Sequence, residues 1–231
     1  AKVLGLLHVP DGDVPPVPQD HHNYFVWVDT APADIKMQVT VQRVWNNCPH
    51  EISLFSPKAV DIKAVDISRI VKADGKPYDV VLKTPYTGLH RILVRDGGDY
   101  TRIVWPDDMP VTLPSSMETP GVKDHFRGAW TLYFYVPKGA ESVAGWASRI
   151  AAWAPRISGT LLDPTGKVLC DFSKVQDGWF SIPVPDGTDG KLWKFEQTHG
   201  TRQLVTVPPY FAVNAERLLL PREVVDGDRR Q

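Results

Sequence analysis

The chain is short of several things, and each shortage removes a class of protein. It has only two cysteines in 231 residues, Cys48 and Cys170, too few for a small fold held by disulfides. They sit at unrelated places, so two buried free thiols is the favoured reading and one bridge between them the alternative. No apolar run approaches the roughly 20 residues of a membrane-crossing helix. Neither sign of charge dominates, with 26 Lys and Arg against 27 Asp and Glu and a formal net charge of −1. That balance gives no support to a nucleic-acid or anionic-membrane surface. G-x-S-x-G, G-x-G-x-x-G, P-loop, HExxH and CxxC patterns are all missing, which leaves no local signature for acyl transfer, phosphate cradling or zinc chemistry. The opening Ala1-Lys2-Val3-Leu4-Gly5 lacks the apolar core of a signal peptide, a start that also fits a mature secreted chain or a processed fragment, so export is not readable from it.

What the chain does have is punctuation. Its 21 prolines and 17 glycines fall mostly between short apolar runs, the pattern of many strands joined by tight turns. Three landmarks occur twice in the same order. The first set is Tyr24–Val28, Ser56-Pro57 and Arg91–Gly97; the second is Leu132–Val136, Asp163-Pro164 and Ser181–Gly187. Tyr24 and Leu132 lie 108 residues apart, Pro57 and Pro164 107, but Asp96 and Asp186 only 90. A longer middle segment in the first copy accounts for the difference. The expectation is an all-β chain of two tandem antiparallel β-sandwich domains of the jelly-roll kind. Residues 1–22 would be an extended lead-in, 23–116 the first sandwich and 117–231 the second, with the boundary near Pro114–Gly121.

Residues 36–44 alternate, with Met37, Val39 and Val41 on one face and Lys36, Gln38, Thr40 and Gln42 on the other, a half-buried strand by its period of two. Asp61–Leu82 settles on neither helix nor strand period, and Asp74–Pro77 reads as a turn. Thr87–Val94, Asp96-Gly97-Gly98-Asp99 and Tyr100–Trp105 read as a β-hairpin. Residues 140–154 offer a helical face of Trp146, Ile150 and Trp153, but the repeat and Pro155 favour short strands there. Ile182-Pro183-Val184-Pro185 belongs on an edge strand, where no ladder N–H is needed. Trp130, Tyr133 and Tyr135 set beside Leu132, Phe134 and Val136 make both faces of that strand apolar, so its outer face is expected to be covered.

The stretches LLDPTGKV (Leu161–Val168) and GWFSIPVPDGTDGKLWKF (Gly178–Phe195), with TGLHRILVRDGGDYTRIVW (Thr87–Trp105) in the first half, resemble bacterial pre-peptidase C-terminal-like sandwiches and related jelly-roll modules of secreted hydrolases. The resemblance implies a non-catalytic accessory role, binding or targeting substrate for a parent enzyme, in an extracellular or periplasmic setting.

Four chemistries compete for the polar and aromatic residues. Asp20, His21 and His22 beside Asp11 and Asp13 carry metal-ligand types, but adjacent histidines on an extended chain point to opposite sides, so a solvated linker is favoured. Asp96, Asp99, Asp186 and Asp189 are weak candidates for a structural calcium ion, against the simpler use of Asp-Gly in turns. Carboxylates abound, yet no spacing marks a catalytic pair, so no catalytic residue is named. Carbohydrate binding by ring stacking has six candidate platforms: Tyr78, Tyr86, Trp105, Trp179, Trp193 and Tyr210. The partners expected are a polysaccharide or parent enzyme domains, with no nucleic acid, no transmembrane segment and no cofactor beyond a possible calcium. A ligand-free interdomain or oligomerisation scaffold is the competing class, and an intrinsic hydrolase the third.

Overall fold

The computed structural model describes residues 2–3, 17–44, 50–58, 63–70, 72–115, 125–149, 152 and 154–228. In the first half the strands are β1 (Lys2–Val3), β2 (Val17–Val28), β3 (Ala33–Gln42), β4 (His50–Phe55), β5 (Asp66–Ile70), β6 (Asp74–Thr84), β7 (Gly88–Val104) and β8 (Val111–Pro114). The second half adds β9 (His125–Arg127), β10 (Trp130–Val136), β11 (Ser142–Ser148), β12 (Ser158–Leu162), β13 (Val168–Asp171), β14 (Gly178–Pro183), β15 (Lys191–His199) and β16 (Thr201–Leu204). The C-terminal segment carries β17 (Tyr210–Phe211), β18 (Leu219–Leu220) and a short helix α1 (Arg222–Asp228). The fold is all-β, and the pairings within its sheets are antiparallel.

The two halves repeat one wiring. In the first, β2, β7, β4 and β5 lie side by side; in the second, β10, β15, β12 and β13 do so in that order. A second layer consists of β6, β3 and the end of β7 in the first half, and of β14, β11 and β16 in the second. The strand matching Arg91–Val94 is therefore β15, not the Ser181–Gly187 stretch that its Asp-Gly dipeptide suggested. This corrects the anomalous third landmark, because a shared turn dipeptide carries no information about which strand it follows.

The expected hairpin at Thr87–Trp105 is one continuous strand of 17 residues. Its first part pairs with β2 and β4, and its last part pairs with β3. Between His21↔Arg95 and Gln19↔Tyr100, the four residues Asp96–Asp99 stand against the single residue Asp20. Gly97 and Gly98 take positive φ of 66° and 93°, which bends the strand from one layer into the other without reversing it. In the second half Gly200, at φ 84°, breaks the run between β15 and β16 at the matching place. Asp74–Pro77 likewise opens β6 and is not a free turn, and Val17–His22 begin β2 as regular strand, Val17–Gln19 paired to β9 and His21 and His22 to β7, not a lead-in. Residues 4–16, including Asp11 and Asp13, lie outside the described residues, as does the expected boundary at 116/117.

The alternation read in β3 is borne out, with Ile35, Met37, Val39 and Val41 buried and Lys36, Gln38 and Gln42 exposed. Residues 142–148 form a strand, and Ile182-Pro183 ends edge strand β14. Trp130 shares its buried face with Leu132, Phe134 and Val136, not with the two tyrosines as expected, since even-numbered residues of a strand point one way. Phe134, Trp193, Phe195, Phe172 and Phe211 pack ring against ring, Phe134 and Phe195 stacked at 5.1 Å. Each such side chain contributes about 1.5–3 kcal/mol on burial. The cluster is contiguous from Tyr24 to Phe211, so one buried network runs through both halves.

The C-terminal segment makes that continuity. Tyr210 and Phe211 pair with Pro114 and Leu113 of β8, while Ala212 bridges to Tyr133 of β10. Leu218, Leu220 and Val225 then pack with Tyr135, so the doubly apolar strand β10 is covered by the chain's own segment. Helix α1 went unread in the sequence, although Pro221 before it is a known helix-start signal. No helix among the described residues is long and apolar enough to cross a membrane.

Candidate ligand-binding face

Strands β14, β11 and β16 form a three-stranded sheet whose inner face carries Val143, Ala147, Phe180 and Leu204. Its outer face carries the opposite parity: Trp179 and Ser181, then Ala144 and Trp146, then Gln203. Register places Trp179, Trp146 and Gln203 in one row across the three strands. Trp179 is 64% exposed, although it is among the largest apolar side chains available. Trp146 stands edge-on to it, with ring centroids 5.3 Å apart and planes at 81°. The half-buried ring thus props the exposed one upright, an arrangement worth about 0.5–1.5 kcal/mol beyond the area buried.

The backbone beneath is built for close approach. A Cβ on Gly145 would lie 1.8 Å from the Gln203 carbonyl oxygen and 3.1 Å from the Phe180 ring, so only glycine lets β16 and Phe180 pack there. At the end of the sheet, Arg149 donates to the Asp177 carboxylate from its Nε at 2.8 Å and from its main-chain N–H at 3.2 Å. Burial pushes the Asp177 carboxyl up, but the Arg149 hydrogen bonds and charge outweigh it and hold the group below its ordinary value. The face therefore offers an indole surface and an amide in one row, with an ion pair at the end of the sheet.

The matching layer of the first half has no such surface. There the row through Gln38 reads Asp79, Gln38 and Val104, with Gln38 Nε2 donating to Asp79 at 3.4 Å. One wiring carries two different outer faces.

Of the other stacking candidates, Trp193 is fully buried with its Nε1 donating to the Thr188 carbonyl at 2.9 Å. Trp105 is nearly as buried and packs on Tyr24 at 5.4 Å. Both rings belong to the core and present no face to a ligand. Tyr78 donates its hydroxyl to Asp74 on β6, Tyr86 is half-buried beyond that strand, and Tyr210 is half-buried on β17. They lie on separate elements and do not join Trp179. The sequence places Trp146 only on a helical face and carries no signal for Gln203. Both become visible once cross-strand register is known.

Asp96 and Asp99 are buried and spent on the bend: Asp96 accepts from Thr101 Oγ1 at 2.7 Å and from the Gly98 N–H, and Asp99 meets His50 Nε2 at 2.8 Å and the Val44 N–H at 2.6 Å. Asp186 is exposed in a turn, and Asp189 accepts from the Gly139 N–H at 2.8 Å. His22 is buried, not part of a solvated linker. Among the described residues, no group of three or more His, Cys, Asp or Glu is placed to hold a metal ion. Cys170 is a free thiol whose pKa is raised by burial, and Cys48 lies outside the described residues.

No family model, curated protein or solved structure matches this chain.

Proposed function

We propose that the protein is a non-catalytic accessory module that binds carbohydrate through the Trp179 face of its second half. The observation that carries the proposal is the 64% exposed Trp179, held upright by Trp146 in a row that ends on Gln203. A pyranose ring has an apolar C–H face that stacks on an indole and equatorial hydroxyls that pair with amide, guanidinium and carboxylate groups. Gln203 supplies an amide in the same row as the ring, and the Arg149–Asp177 pair lies at the end of the same sheet. The resemblance of Leu161–Val168 and Gly178–Phe195 to modules of secreted bacterial hydrolases adds the host: an extracellular enzyme acting on a polymer.

The test is a glycan array followed by calorimetric titration of the hits. Trp179→Ala abolishing binding, with the fold retained by circular dichroism, supports the reading. An array without hits, or binding indifferent to Trp179→Ala, overturns it. The second reading is a ligand-free scaffold, favoured by the C-terminal segment that joins β8 to β10; recovery of a stable protein partner and no glycan supports that instead.

A further inference from the structure

A cavity of about 310 Å³ lies between the outer face of β2 and β7 and the C-terminal segment. Phe25, Trp27 and Leu89 form its floor, while Tyr210, Leu220 and Pro221 form its walls. Its volume is at the lower end of what small-molecule sites enclose, roughly 300–1,000 Å³. Thr112 contributes a hydroxyl that is already used, accepting from the Leu219 N–H at 2.7 Å and donating to the Arg217 carbonyl at 3.4 Å. The interior accordingly favours an apolar body.

The polar groups at the edge are of a different kind. The Tyr210 side chain makes no hydrogen bond among the described residues. Arg222 is highly exposed, and among the described residues its guanidinium pairs only with Asp226, at 3.5 Å, a surface contact weak enough to yield to a better one. Against these donors the lining holds one carboxylate, Glu223.

We infer that this cavity binds a small organic carboxylate with an aromatic or branched apolar body, the body on Phe25, Trp27 and Leu89 and the carboxylate between Tyr210 and Arg222. A carboxylate accepts from a phenol and a guanidinium together, and charge-assisted bonds of this kind are about twice as strong as neutral ones. The inference stands independently of the carbohydrate face, which lies on a different sheet.

Calorimetric titration with 4-phenylbutyrate and with the isosteric 4-phenylbutyramide tests it. The acid is expected to bind saturably and the amide about tenfold more weakly. Arg222→Gln should bring the acid down to the level of the amide, and Leu89→Trp, at a position 37% exposed, should fill the cavity and abolish both. Equal binding of acid and amide, with Arg222→Gln silent, overturns the carboxylate assignment. No saturable binding, or binding that survives Leu89→Trp, overturns the site. In the wild-type protein the Trp27 indole N–H resonance should move during the titration with acid; its failure to move overturns the site even if the variants misfold.

Discussion

Trp146 and Trp179 meet across β11 and β14 with their planes at 81°, one half-buried and the other 64% exposed. The two rings are not equivalent, and the difference is measurable. Trp179→Ala removes the stacking surface and its edge-on contact with Trp146, and should cost about 0.5–1.5 kcal/mol of stability while binding is lost. Trp146→Ala removes the prop, so it should weaken binding by about tenfold and cost about 1–3 kcal/mol of stability. Calorimetric affinities and thermal melts of the two variants check the asymmetry. Equal effects on both quantities would sink it.

Gly145 is the narrowest point beneath that pair. Gly145→Val should force β16 away from β11 and cost about 3 kcal/mol or more, since the Gln203 main chain has no free rotamer with which to yield. Denaturant titration measures the cost. Accelerated hydrogen exchange at the Trp146 and Gln203 amides locates it.

Tyr135 fastens α1 to β10 by donating its hydroxyl to Asp228, whose other oxygen accepts from the Lys138 N–H at 3.2 Å. Burial first, and Asp228 second, push the tyrosine pKa well above its ordinary value. Tyr135→Phe should cost about 1.5–3 kcal/mol, the range for a hydrogen bond to a charged group. The loss should appear as faster hydrogen exchange in Arg222–Asp228. Unchanged exchange there would show the helix to be held by Val225 and its apolar neighbours alone.

His90 gives stability a pH dependence. It is fully buried, with Nε2 at 2.8 Å from Thr84 Oγ1 and Nδ1 at 2.9 Å from the Gly88 carbonyl. Burial, aided by the charge of Lys58 and opposed by the Gly88 carbonyl, holds its pKa below the ordinary 6.5. Near pH 6.5 the unfolded chain therefore takes up a proton that the native state refuses. The contribution is fully present above that pH and is lost as pH falls below it, at up to about 1.4 kcal/mol per pH unit. Denaturant midpoints between pH 7.5 and 5.5 should fall for the wild type and fall less steeply for His90→Gln. Equal slopes would rule His90 out as the source.

Local patterns carried much of the architecture. Period two exposes the buried side of β3, the proline pair marks β14 as an edge, and repeated apolar strands announce a repeated layout. Non-local information was hidden. Asp96–Asp99 has the composition of a turn, and only pairing with β2, β3 and β4 makes it a bend in a single strand. The same holds for the site: Trp179 was legible as a large aromatic between turn residues, whereas its neighbours Trp146 and Gln203 depend on a register that no stretch of chain encodes by itself. Trp193 and Trp105 share the residue type of Trp179 but not its fate, because parity along a strand decides burial only when the inward face is known.

Residues 208–228 are synthesised after both bodies they cover. Until they are in place, a nascent chain has Tyr133 and Tyr135 on one side and Phe25, Trp27 and Leu89 on the other turned outward without a roof. Docking of this segment is thus a closing step, and in the interval before it the growing polypeptide is a natural client for whatever shields sticky surfaces in its compartment.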